Sequence, residues 1–253
     1  MNLTKDHGFL VAGHRGDKYN FYENTLASFE RAIASGCDMV ETDVRVTKDG
    51  VLVLMHDENT KRTTGIDALV GEKTYEELLQ FNAGDKNNFC KIPTLEELLV
   101  FVKKSGVMLN LEIKEYYSET NVERCNYCID ESVKLVEKYG LAEKMVFNSF
   151  DAYVLEYIHK KYNGKYMLHG YYPYSIMKNV VMNPDEYLYC ACIFDDKQKV
   201  HYDYLISKGI EPWIGAGVTI KEHMQLCIDN GARLITTDNT ADAIQKLKEL
   251  KVL

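Results

Sequence analysis

Glu41 and Asp43 lie two residues apart in the apolar segment DMVETDV, and Glu112 and Lys114 repeat that spacing in VMLNLEIK. Alternate side chains of an extended strand share a face, with a rise of about 6.6 Å between them, so each pair points one way. Three carboxylates gathered in a poorly solvated place repel one another unless a cation or protons neutralise them. An all-oxygen donor set suits a hard divalent ion such as Mg²⁺ or Ca²⁺. His14 follows the apolar FLVAG and His56 follows VLVLM. Two imidazoles, each with an ordinary pKa near ~6.5, can serve as general acid and general base near neutrality. Arg15 and Lys114 add fixed positive charge, arginine with a planar fork that matches phosphate oxygens. Together these parts describe metal-assisted chemistry on a phosphate ester.

For these residues to act together, segments far apart in sequence must end in one place. Short apolar runs alternate with longer amphipathic ones along nearly the whole chain, the signature of βα units and a parallel sheet. Strand-like segments fall at 9–13, 38–44, 107–114, 144–150, 166–172, 187–194, 210–216 and 232–238. That is the number a closed (β/α)₈ barrel needs, and such a barrel carries its site at the C-terminal ends of the strands. Helical patterns lie between and after them: Leu26, Phe29 and Ile33 before a Gly36 stop, a Thr94/Glu97 capping box, and stretches at 119–139, 150–162, 197–208, 219–230 and 240–251. An extra stretch of residues 45–92 interrupts the alternation. It holds VTKDGVLVLMHD with a hairpin signal at Asp49-Gly50, then RTTG and a short helical pattern around Tyr75 to Leu79. Insertions of this length in a βα loop serve the site they border. With no linker or repeat, residues 1–253 are expected to form one domain.

With 38 acidic and 30 basic residues the net charge is -8, which disfavours phosphate backbones and anionic lipid surfaces, so nucleic acid is not an expected partner. Neither a secretion signal nor a spanning apolar run is visible, so no stable membrane anchoring is expected. Seven cysteines, an odd number scattered through the elements, read as reduced thiols in the cytoplasm. The Cys125–Cys128 pair falls inside a helical pattern and reads as structural. Oligomeric state is not encoded in any visible stripe.

The ordered motifs HRG (14–16), ENTLASFERAIASGCDMVETDVRVTKDGVLVLMHD (23–57), RTTG (62–65), IPTLEELL (92–99) and LEIK (111–114) resemble the glycerophosphodiester phosphodiesterase family. The later half resembles it mainly in architecture, with NSF (148–150), Trp213 and ITTD (235–238). The resemblance implies a TIM barrel of the PLC-like phosphodiesterase type with a small insertion after the second strand. It implies that Glu41, Asp43 and Glu112 hold one divalent cation, Mg²⁺ or Ca²⁺, that His14 and His56 transfer protons, and that Arg15 and Lys114 hold phosphate, with Trp213 at the substrate. The implied reaction takes a small-molecule glycerophosphodiester to sn-glycerol 3-phosphate and an alcohol, the substrate's own glycerol hydroxyl attacking phosphorus. Lysophospholipase D action on lysophospholipids and a non-catalytic barrel that binds a phosphorylated metabolite are the alternatives. Tyr22 stands where many relatives have proline, Trp213-Ile214 replaces a Trp-Thr pair, and Asn239-Thr240 replaces a proline after the final TD; the last two changes bear on the substrate rim.

Several residues carry a plainer reading as well. His7, His159, His169, His201 and His223, taken singly, read as ordinary histidines. Glu23 and Asn24 either start a helix, with Asn24 as its cap, or orient Arg15. Asp238 either braces the site or caps the last helix. Trp213 suits core or pocket wall as well as a substrate contact, and Tyr171, Tyr172 and Tyr174 suit either the mouth of a barrel or its packing.

Overall fold

The computed structural model describes residues 8–253; the expectations for His7 and for the opening residues lie outside the described residues. Among the described residues nine strands form: β1 (Leu10–His14), β2 (Met39–Val46), β3 (Leu52–Leu54), β4 (Met108–Ile113), β5 (Met145–Asn148), β6 (Met167–Tyr172), β7 (Cys190–Ile193), β8 (Glu211–Ile214) and β9 (Leu234–Thr237). The helices are α1 (Leu26–Ala34), α2 (Lys61–Thr64), α3 (Tyr75–Leu78), α4 (Leu95–Ser105), α5 (Val122–Tyr139), α6 (Ala152–Lys161), α7 (Lys199–Ser207), α8 (Lys221–Asn230) and α9 (Thr240–Glu249). All strands except β3 pair in parallel in a ring in which β1 bonds both β2 and β9. The result is the closed eight-stranded parallel barrel expected, with β3 bonded antiparallel to β2 outside the ring.

Six of the eight barrel strands lie inside the segments expected for them, trimmed by a few residues where main-chain pairing stops; β1 runs one residue further, to His14, and β2 two further, to Val46, where it pairs with β3. Helices follow the expected stretches as closely, and Thr94 and Glu97 do form the capping box that opens α4. Between β6 and β7 the chain makes only two short 3₁₀ turns, Tyr174–Ile176 and Pro184–Glu186. The insertion builds a small core of its own from Val53, Met55, Val70, Leu78, Ala83 and Ile92, and is tied to the barrel through the β2–β3 hairpin.

The period-two alternation of strands sorts the barrel interior by depth. Leu10, Ala12, Met39, Val146, Cys190, Trp213 and Leu234 pack into an apolar plug. Two or four residues further along the same strands, His14, Glu41, Asn148, Cys192, Gly215 and Thr236 line a cavity above it. The plug closes one end of the barrel to water, so polar groups can converge only at the other.

Gly16 sets the entry to that end. Its φ is 86°, and a Cβ there would lie 2.3 Å from Ser28 Oγ and 2.6 Å from the Ser28 carbonyl carbon. Gly16→Ala is expected to destabilise the fold by ~1–3 kcal/mol from backbone strain, with a comparable term from the clash. Chemical denaturation would measure it, and a loss under ~1 kcal/mol would show that the β1–α1 turn is free to move.

Candidate active site

Glu41 and Asp43 from β2 and Glu112 from β4 project into the barrel with Lys114, the residue that follows that strand by one, and all four are buried. One oxygen from each of the three carboxylates lies within 4.8 Å of the others. Burial and the neighbouring Asp43 and Glu112 charges push Glu41 well above the usual carboxylate range. Glu112 is raised for the same reasons, against the pull of Lys114. Burial acts on Asp43 too, but Lys114, Arg15 and His56 outweigh it and hold that carboxyl low. Lys114 Nζ bonds Glu112 Oε1 at 2.5 Å and lies 3.3 Å from Asp43 Oδ1, yet that oxygen accepts no well-formed hydrogen bond. Three crowded buried carboxylates, one short of a donor and two resisting ionisation, are a donor set fitted to a divalent cation.

Arg15 adopts φ 55°, a left-handed backbone that is uncommon outside glycine. This turn aims its N–H at Glu41 Oε2 (3.0 Å), while its side chain lies 3.1 Å from Asp43 Oδ2 and donates to Glu23 Oε1 at 3.1 Å. Glu23 therefore orients Arg15. Asn24 does not cap α1; Thr25 does, accepting from Ser28 N–H. Asn24 instead donates to Asp43 Oδ2 (2.9 Å) and accepts from Thr42 Oγ1 (2.8 Å), a bridge that needs its own left-handed φ of 55°.

The two imidazoles line the same cavity as Glu41, Glu112 and Lys114. His14 Nδ1 is 2.7 Å from Asp238 Oδ1, which leaves Nε2 facing the site, 3.9 Å from Glu41 Oε2. Asp238 thus braces His14, and Asn239 caps α9. His56 Nδ1 is 2.6 Å from Asp57 Oδ1. Burial lowers both histidines; Asp238 partly opposes this at His14, and Asp43 and Asp57 oppose it at His56. An imidazole held at Nδ1 by a carboxylate presents Nε2 for proton transfer, the arrangement that general acid–base chemistry requires.

Some of the positioning groups lie inside the quoted motifs, but nothing in their local spacing assigns them a role. Asp57 accepts from Arg62 Nε (2.6 Å), and Arg62 clasps Glu23 with two bonds of 2.8 and 2.7 Å. A chain of alternating charge thus runs from His56 through Asp57, Arg62, Glu23 and Arg15 to Asp43. Burial aside, Arg62 and His56 hold the Asp57 carboxyl down to about 2. Arg45 grips the carbonyl of His56 with Nε and Nη2 (3.0 and 2.9 Å) and reaches that of Lys114. Arg62→Ala should lower kcat by roughly tenfold to a hundredfold through loss of His56 alignment, with circular dichroism unchanged; a wild-type kcat would show that Asp57 needs no such support.

The cavity holds about 440 Å³. His169, expected to be ordinary, lies in its wall, 3 % exposed, with its ring 4.8 Å from Trp213 and 5.2 Å from Tyr171. Burial pushes it down to about 3, so it is neutral. Asn110 Nδ2 is 3.1 Å from its Nδ1. Trp213 does not reach the cavity: it is fully buried in the apolar plug, where its indole N–H donates to Glu211. Its distance from the cavity follows from one step of strand register, since Gly215, two residues on, is the cavity residue of β8 and its extension. Tyr171 lines the cavity, whereas Tyr172 and Tyr174 pack against each other beside it. His159, His201 and His223 do not line it.

The sequence profile of the glycerophosphoryl diester phosphodiesterase family matches residues 14–194. The chain is 33% identical over 251 residues to a glycerophosphodiester phosphodiesterase of Bacillus altitudinis, covering 96% of this chain and 91% of that one. It is 36% identical over 155 residues to a glycerophosphodiester phosphodiesterase of Caldanaerobacter subterraneus, covering 60% of this chain and 62% of that one. In fold it is similar to the structure of a phosphodiesterase of Oleispira antarctica in complex with the product sn-glycerol-3-phosphate, with a TM-score of 0.81 and 23% identity over 97% of this chain and 99% of that one. The residues that converge at the barrel mouth fall within the matched profile apart from Asp238, and the chain belongs to the glycerophosphoryl diester phosphodiesterase family.

Proposed function

We propose that the protein hydrolyses glycerophosphodiesters to sn-glycerol 3-phosphate and an alcohol, with His14 and His56 as the proton-transfer pair. One observation carries this reading: two imidazoles, each tied at Nδ1 to a carboxylate, line one cavity together with members of a buried acidic cluster. Glu41, Asp43 and Glu112 are the ligands of a single divalent ion, Mg²⁺ or Ca²⁺. When bound, that ion supplies positive charge to the phosphate's non-bridging oxygens. Arg15 and Lys114 hold the phosphate from the cavity side and share its charge. One imidazole takes the proton of the substrate's glycerol hydroxyl as its oxygen bonds to phosphorus. The other protonates the alcohol oxygen as its bond to phosphorus breaks. Water then opens the cyclic phosphate with the two proton roles exchanged. The seven free cysteines suit a reducing compartment such as the cytoplasm.

Purified protein supplied with Mg²⁺ or Ca²⁺ and glycerophosphocholine is expected to release glycerol 3-phosphate and choline, and to stop when a chelator is added. Release of choline phosphate, or turnover that survives chelation, would overturn the reading. A lysophospholipase D reading keeps the same site, and the 57 % exposed Phe194 at the cavity rim is the feature that favours it. A kcat/KM that rises with acyl-chain length on lysophosphatidylcholine would select it over the first.

A further inference from the structure

We propose that Asp196, His223 and Cys227 form a second metal site, selective for Zn²⁺, which clips the segment after β7 to α8 behind the wall of the catalytic cavity. His223 and Cys227 are four residues apart on α8 and so share one helix face. Asp196 reaches that face from the segment between β7 and α7. Its Oδ1 lies 2.8 Å from His223 Nε2, and the Cys227 thiol donates to its main-chain carbonyl at 3.6 Å. One ligand atom from each of the three residues lies within 4.8 Å of the others.

The donors differ in kind from the all-carboxylate cluster at the barrel mouth. An imidazole nitrogen, a thiolate sulfur and one carboxylate oxygen are a borderline-soft set that suits Zn²⁺ and leaves a fourth position for water. A tetrahedron with Zn–N of ~2.0 Å and Zn–S of ~2.3 Å has edges of about 3.4 to 3.6 Å. The Asp196–His223 pair therefore opens by a few tenths of an ångström and the thiol moves in, shifts that side-chain rotation supplies. Asp196 and His223 side chains are 18 % and 19 % exposed, which gives an ion a path in, while Cys227 is buried behind them. Coordination releases the Cys227 thiol proton to solvent. Tyr202 on α7 donates its hydroxyl to the Asp196 carbonyl at 2.7 Å, so the loop is already drawn towards these helices. Asp196 and Phe194 both line the catalytic cavity. A metal at this place fixes the wall opposite the histidines without touching the residues that react.

Zn²⁺ and, as a spectroscopic probe, Co²⁺ should be titrated into the full-length protein with excess Mg²⁺ present to occupy the carboxylate cluster. The expected result is one tightly held Zn²⁺, a thiolate-to-Co²⁺ charge-transfer band, and a rise in Tm with Zn²⁺. Cys227→Ser should lose the band, and both Cys227→Ser and His223→Ala should weaken Zn²⁺ by about tenfold or more. His223 is near the surface, so its variant keeps the test alive if the buried Cys227→Ser does not fold. Cys125→Ser, at the buried CxxC of α5, should change neither readout. Absence of the Co²⁺–thiolate band in the wild type, or Zn²⁺ affinity unchanged in folded His223→Ala, overturns the proposal, as does loss of the site in Cys125→Ser.

Discussion

His56→Ala and His14→Ala each lower kcat on glycerophosphocholine by about 10²–10⁴-fold, the usual loss when a positioned proton donor or acceptor is removed. The double variant is expected to fall little further than either single one, because in the proposed mechanism the two imidazoles serve one cycle and act as a unit. A substrate with a strongly acidic alcohol separates the roles. It needs no protonation as it leaves, so it restores turnover to the variant that lacks the acid and not to the one that lacks the base. The pH profile follows from burial. Burial lowers both histidines, so the neutral base persists to more acid solution than a free imidazole, and the acid limb of kcat/KM lies below ~6.5. Asp238 raises His14 against that trend, so Asp238→Asn moves the His14 limb still lower. Wild-type turnover in both alanine variants would remove the proton pair, and an acid limb above ~6.5 would mean that burial does not control these rings.

Glu112→Gln is expected to abolish most of the proposed metal-dependent activity, by about 10³-fold, since the proposed site then loses one anionic ligand, which weakens both the ion's hold and its placement. The same variant behaves in the opposite way without metal. Wild-type Glu41 and Glu112 are raised above the ordinary carboxylate value in the fold. A raised carboxyl contributes stability below its unfolded value and loses it as pH rises through the folded one. Metal-free wild type is therefore strained on the alkaline side of that window, and Glu112→Gln, with one negative charge fewer, is relieved there. Added divalent ion reverses the order: at a hundred times its Kd it stabilises a binding-competent protein by ~2.7 kcal/mol, and much less in the variant. Thermal melts of both proteins with and without Mg²⁺ or Ca²⁺, from mildly acid to mildly alkaline pH, measure all four cases. Equal metal-induced shifts in the two proteins would place the ion elsewhere.

The parts of the site that depend on short-range periodicity are legible in the sequence. Glu41 with Asp43, and Glu112 with Lys114, announce a shared face through a spacing of two, and His14 and His56 stand just past apolar runs. The barrel itself follows from the alternation of strand and helix patterns. What is not legible is set by distance along the chain. Arg62 reaches Glu23 across 39 residues and Arg45 reaches Lys114 across 69; no local spacing encodes either bond. Period two says that Trp213 faces the barrel axis, but not whether it stops in the plug or rises into the cavity. For His169 the same ambiguity resolves the other way, two strands away. Asn24 misleads because a cap and a left-handed bridge both call for a small polar side chain beside a helix start.

His14 belongs to the barrel and His56 to the insertion, so the separation between the two rings is decided by how a hairpin and its small hydrophobic cluster seat on β2. Exchanging residues 47–92 for the corresponding piece of a relative is thus a transplant of half the proposed proton-transfer pair together with its alignment. Chimaeras of this kind will succeed or fail on whether an incoming arginine finds Glu23.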